Sequence, residues 1–160
     1  MRNGLIVGPG SAQKWYLDDM RHREDGPAVV LPDGFQQWYQ NDELHREDGP
    51  AVTYASGAQE WHLRGRLHRD GGPAVTWPDG SQQWYRRGRL YREDGPAIVS
   101  SRRQEWHLRL AESQISLADG VLSIDGESVE LADPGSKTRI SRILKNKNIT
   151  PVGWLAELVK

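Results

Sequence analysis

Aromatic, small apolar and polar positions recur along this chain with a period of 23. Trp15, Trp38, Trp61 and Trp84 keep that spacing, and Trp106 follows 22 residues later. Gly-Pro returns in step at Gly26-Pro27, Gly49-Pro50, Gly72-Pro73 and Gly95-Pro96. A fixed short period marks stacked copies of one small unit, none of which can bury its apolar face alone. Around each Trp the pattern is that of a strand. Gln13, Gln36, Gln59, Gln82 and Gln104 stand two residues before the tryptophans, and Tyr16, Tyr39, His62, Tyr85 and His107 stand one residue after. Neighbours in a strand point to opposite faces, so Gln and Trp share one face and the Tyr/His column takes the other.

A turn segment follows, as in Leu44-His45-Arg46-Glu47-Asp48-Gly49 and Leu90-Tyr91-Arg92-Glu93-Asp94-Gly95, where Asp-Gly supplies the freedom to reverse. Next comes a second strand: Pro27-Ala28-Val29-Val30, Pro50-Ala51-Val52-Thr53, Pro73-Ala74-Val75-Thr76 and Pro96-Ala97-Ile98-Val99. Pro suits the first strand position because it cannot donate to a ladder. Val29, Val52, Val75 and Ile98 read as core. The unvarying Ala28, Ala51, Ala74 and Ala97 read as a close contact that excludes anything larger. Pro32-Asp33-Gly34 and Pro78-Asp79-Gly80 turn the chain into the next unit, and Ala55-Ser56-Gly57 does so in the second.

After Trp106 the repeat decays. Val121–Ile124 and Ser128–Leu131 flank Asp125-Gly126-Glu127, a hairpin signal. Ser136 is placed to cap a helix over Lys137–Lys145, with Ile140, Ile143 and Leu144 as its apolar stripe. Thr150-Pro151 fits the N-cap and first turn of a last helix, with Trp154, Leu155 and Leu158 facing inward. The chain is therefore expected to be mainly β. Tandem antiparallel β-hairpins over residues 15–109, four repeats and a partial fifth, should form one elongated curved sheet. A lead-in strand in 1–14 precedes them, and a small α+β cap in 110–160 covers the open last edge of the sheet.

The wording Trp-Tyr, then Gly-x-Leu-His/Tyr-Arg-Glu-Asp-Gly-Pro-Ala, resembles the MORN repeat, in the bacterial and phage variant that includes antitoxin-like proteins. The resemblance runs from Trp15 to Arg109. It implies a hairpin-repeat, MORN-like array and a protein-binding or scaffolding role without catalysis. The setting it implies is antitoxin or immunity function, or phage counter-defence of the anti-CRISPR kind.

Composition narrows the classes. Hydrophobic residues make up 36% and charged residues 27% of the 160, and seven Trp and five Tyr must supply much of the buried area. Cysteine is absent, which excludes disulfides and thiolate metal sites and fits a reducing, cytoplasmic setting. No segment is apolar over the ~18 residues of a membrane span. A net charge of −1 conceals blocks: −7 over 15–60, +5 over 61–110, −6 over 111–135 and +5 over 136–160.

His22, His45 and His68 recur at one position, where the fourth copy has Tyr91. Set about 9–10 Å apart by two strand spacings, they cannot share a metal whose bonds are ~2 Å, so they read as turn framework. Arg-Glu-Asp copied at residues 23–25, 46–48 and 92–94 also reads as framework, since an active site is singular. No cofactor or catalytic residue is expected. The partner-binding surface is expected at Arg64, Arg66, Tyr85, Arg86, Arg87, Arg89, Arg102 and Arg103, with Arg139, Arg142 and Lys145 on the C-terminal helix. Arg and Tyr are enriched at binding hot spots. The expected partner is another protein, a toxin or a defence-system component, blocked by steric docking. The alternative is nucleic acid held by the same arginines. Homodimerisation through a sheet edge is a further expectation.

Overall fold

The computed structural model describes residues 1–110 and 113–160, the side chains of 108–110 excepted. Ala111 and Glu112, within the acidic block read from the sequence, lie outside the described residues. The chain is mainly β, an open antiparallel sheet of hairpins followed by two helices, and it divides into two compact units, Met1–Arg89 and Leu90–Lys160.

In the first unit the sheet runs Gly4–Val7, Gln13–Leu17, Val29–Val30, Gln36–Gln37, Val52–Thr53, Gln59–Glu60, Val75–Thr76 and Gln82–Gln83, each antiparallel to the next. In the later copies the aromatic strand is broken at its Trp. Gln36–Gln37 stays in the long sheet, whereas Tyr39–Gln40 pairs with Glu43–Leu44 as a separate small hairpin. Trp38 is the corner. Its N–H donates to Ala51 O at 2.7 Å, and its C=O accepts from His45 N at 3.0 Å. Ala28, Ala51 and Ala74 show no exposure, so the methyl fills all the room left beside that corner. Val29, Val52 and Val75 are buried beside them.

The reversal lies elsewhere than Asp-Gly. Each unit turns at Asn41-Asp42 and its equivalents, and Leu44 already belongs to the returning strand. Gly26, Gly49, Gly72 and Gly95 have ordinary φ and are needed for space. A Cβ on Gly49 would lie 2.6 Å from Cζ of Arg46. That guanidinium stacks 3.9 Å from the Trp38 ring centroid, with Nε donating to Asp48 at 2.8 Å and a second N–H to Pro50 O at 3.5 Å. Arg23 on Trp15 repeats the arrangement. Arg69 on Trp61 keeps the stack without that carboxylate, because Gly71 stands where Asp48 does. Hydrogen bonding from the arginines holds Asp25, Asp48 and Asp94 below the usual carboxylate range. Pro27 and its equivalents precede the second strand, which begins at the Val. The turn at 32–34 behaves as expected: Leu31 N donates to Phe35 O at 2.9 Å, and Gly34 takes φ 92°.

The second unit is a meander of Ile98–Val99, Gln104–Leu110, Ser113–Ala118, Val121–Ile124 and Glu127–Glu130. Helices α1 (Ser136–Asn146) and α2 (Gly153–Leu158) follow. Ile115, Leu122, Ile124 and Val129 bury one face of the meander against Ile140, Leu144 and Leu155. The helices thus cover a sheet face, while Ser113–Ala118 of the same segment pairs with Gln104–Leu110 and covers the last edge of the repeat strands, as expected from the sequence. Lys147 ties the end of α1 to the hairpin turn, 3.6 Å from Asp125 and 3.2 Å from Glu127. Two capping expectations are corrected. Gly135, at φ 82°, is the N-cap of α1, and Ser136 donates its hydroxyl to Leu131 O. Helix α2 starts at Gly153 after Val152, beyond Thr150-Pro151. A Cβ there would meet Glu93 O at 2.6 Å, so only Gly admits the close approach.

Candidate functional site: an arginine groove at the hairpin tips

The small hairpins end in two-residue turns at Asp18-Asp19, Asn41-Asp42, Arg64-Gly65 and Arg87-Gly88, with positive φ at both positions. Such turns match the twist of their strands, and they favour Asn, Asp and Gly because these tolerate left-handed backbone. The first two copies obey that preference. Arg64 (φ 50°) and Arg87 (φ 53°) do not, and they take a conformation that disfavours a long side chain. Both are steadied by the preceding copy: Arg64 N–H donates to His45 Nδ1 at 3.2 Å, and Arg87 N–H to His68 Nδ1 at 3.1 Å. The recurrent histidines are therefore staples between units, as the framework reading expected. Asn41 N–H meets His22 Nδ1 in the same way at 3.3 Å.

Successive tips lie side by side. Asp42 N donates to Arg21 O at 2.9 Å, Gly65 N to Leu44 O at 2.9 Å and Gly88 N to Leu67 O at 2.8 Å. This stacking brings Arg64, Arg66 and Arg87 to one open groove of about 590 Å³, completed by Glu43, Leu63 and His68. Among the described residues no carboxylate lies within ion-pair distance of those three arginines. Asp19 and Asp42, in the acidic tips, are engaged by Arg2 at 3.2 Å and by Arg21 at 2.6 Å. These contacts hold both acids below the usual carboxylate range.

The other expected residues separate into several environments. Arg86 and Arg89 are exposed on the strands of the fourth hairpin. Tyr85 is half-buried and donates its hydroxyl to Gln83 at 3.1 Å; burial, then the charge of Glu60, pushes its phenol up. Its place is framework: Tyr39 donates to Gln37 at 3.4 Å, whereas His62 faces Glu60 at 2.8 Å and His107 faces Glu105 at 3.1 Å. From the second copy on, Tyr goes with Gln and His with Glu, across the Trp. Arg102 and Arg103 belong to the second unit, where Arg103 pairs with Glu105. Arg139, Arg142 and Lys145 are exposed on α1, and Arg139 reaches Asp133 at 3.4 Å. Glu43, Leu63 and His68 were missed by the sequence reading. Their signal was the register, since each stands within a few residues of a tip.

No protein-family model matches the chain, and no curated protein or solved structure matches it. Among the described residues no helix is long and apolar enough to cross a membrane.

Proposed function

We propose that the protein is a cytoplasmic binding module. It docks Arg64, Arg66, Arg86, Arg87 and Arg89 on an acidic face of a partner protein and acts by covering that face, without chemistry of its own. The observation that carries this reading is the pair of arginines in left-handed turn positions, where two earlier copies have Asp and Asn. A residue that goes against local preference at one place in an otherwise consistent repeat points to function. Arginine also offers a planar fork that matches carboxylates. Rigid stacking of the tips fixes the cations before contact, which lowers the ordering cost of binding. The MORN-like wording of the repeat agrees with a contact role, and an antitoxin, immunity or counter-defence setting is part of the proposal.

The test is capture of partner proteins from a bacterial lysate by the immobilised chain and by its Arg64→Asp/Arg66→Glu/Arg87→Asp variant. Each replacement copies a residue type found at that position in an earlier repeat. A protein retained by the wild type and lost with the variant supports the reading; equal retention refutes it. The same groove favours a second reading, single-stranded nucleic acid. Three phosphate contacts would give a log–log salt slope of about −2. Retention that nuclease abolishes would select it.

A further inference from the structure

The tips carry charge in an ordered row within the first unit. Asp18 and Asp19 form the first, Asp42 and Glu43 belong to the second, Arg64 and Arg66 to the third, and Arg86, Arg87 and Arg89 to the fourth. All nine are exposed. Tip-to-tip hydrogen bonds keep them in one line, each step advancing about 9–10 Å for two strands. Asp19 and Asp42 are already paired with Arg2 and Arg21, so Asp18 and Glu43 carry the acidic end of the row; turned end for end, they face the arginines of the last two tips.

We infer that a second copy of this chain pairs with the tip edge in antiparallel fashion. The twofold axis passes between the second and third tips. The first tip of one copy faces the fourth of the other, and the second faces the third. Such an isologous contact closes on itself and makes a dimer, not a filament. The arginines meet Asp18 and Glu43 of the other copy, while Asp19 and Asp42 retain Arg2 and Arg21. A polyanionic strand laid along the same row would run into the acidic tips, whereas a second copy presents a cation to each of them. Exposed ion pairs are individually weak, so the dimer depends on several forming together and on low salt. This inference goes beyond the docking proposal. It shares residues with it but needs no foreign partner, and an acidic partner protein would have to displace the second copy.

Sedimentation equilibrium of the full chain separates the two ideas, because it reads self-association alone. The wild type is expected to dimerise at low ionic strength. Its dissociation constant should rise at least about tenfold as the screening length falls from about 30 Å to about 3 Å between 0.01 M and 1 M salt. The acidic variant Arg64→Asp/Arg66→Glu/Arg87→Asp and the basic variant Asp18→Arg/Glu43→Arg should each be monomeric, and an equimolar mixture of the two should form the heterodimer. Should the acidic variant fail to fold by circular dichroism, Arg66→Glu mixed with Glu43→Arg replaces the pair, since both sites are strand positions with ordinary φ. A wild type that stays monomeric at low salt overturns the inference. So does self-association that survives in both variants, or a mixture that gives no heterodimer.

Discussion

Replacing Gly49 by Ala tests whether the Gly of each Gly-Pro is kept for space. Its φ is ordinary, so an added methyl should stabilise by about 0.4–1 kcal/mol through the unfolded chain. The methyl carbon would, however, lie 2.6 Å from Arg46 Cζ and 2.8 Å from Nε. The guanidinium is the free end of a flexible chain and can swing away, so the steric cost is small. What is lost is the stack on Trp38, about 0.5–2 kcal/mol for a partly desolvated cation–π contact, together with the exposed Nε bond to Asp48, which contributes little. The long hydrogen bond to Pro50 O adds about 0.5 kcal/mol. The net expectation is destabilisation by about 1 kcal/mol, or about 2–4 °C in melting temperature for a chain of this size. In an Arg46→Ala background nothing remains to be displaced, and the same substitution should stabilise. Urea unfolding followed by tryptophan fluorescence, run as a double-mutant cycle, reads the change of sign. Equal effects in the two backgrounds, within about 0.3 kcal/mol, would refute the spatial account of the glycine.

Further outcomes follow from the same geometry. Asp48 is held below its ordinary value of 3.8 by Arg46, so its stabilisation is present above that value and is lost as pH falls through the lower folded one. Asp48→Asn should therefore lower the urea midpoint at pH 7, with the gap to wild type closing below about pH 4. Leu122 is fully buried in the second unit, and Leu122→Ala should cost about 2–5 kcal/mol in the unfolding of Leu90–Lys160, read by calorimetry. His45→Ala removes the acceptor of the Arg64 amide and should speed hydrogen exchange at that amide, with exchange at Trp38 unchanged. Faster exchange throughout the hairpin would instead assign His45 to packing.

The period, the Val and Ala columns and the hairpin over residues 121–130 were legible because each depends on local pattern. Asp125-Gly126 sits between two alternating apolar runs, and the strands pair as Leu122 with Val129 around it. Helix α1 was legible for a similar reason: Ile140 and Leu144 are one turn apart, and both are buried. The reversal was misplaced because Asp48-Gly49 is a stronger turn signal by itself than Asn41-Asp42 or Arg64-Gly65. Only the Arg46–Trp38 stack, a tertiary contact, explains why a glycine is needed at 49. The start of α2 was missed because Gly153 answers to the carbonyl of Glu93, sixty residues away in the chain. At the site, the sequence showed an arginine cluster. It did not show that Arg64 and Arg87 share a turn position while Arg102 and Arg139 lie in another unit, since that follows from which residues interrupt each strand.

Hydrogen–deuterium exchange of the full chain with and without its captured protein partner tests the central claim most directly. Docking on the arginine tips predicts slowed exchange at residues 63–68 and 86–89, where the amides of Arg64 and Arg87 rest on histidines, and unchanged exchange in α1. Protection confined to α1 or to the strands of the second unit, with the tips unaltered, would contradict it.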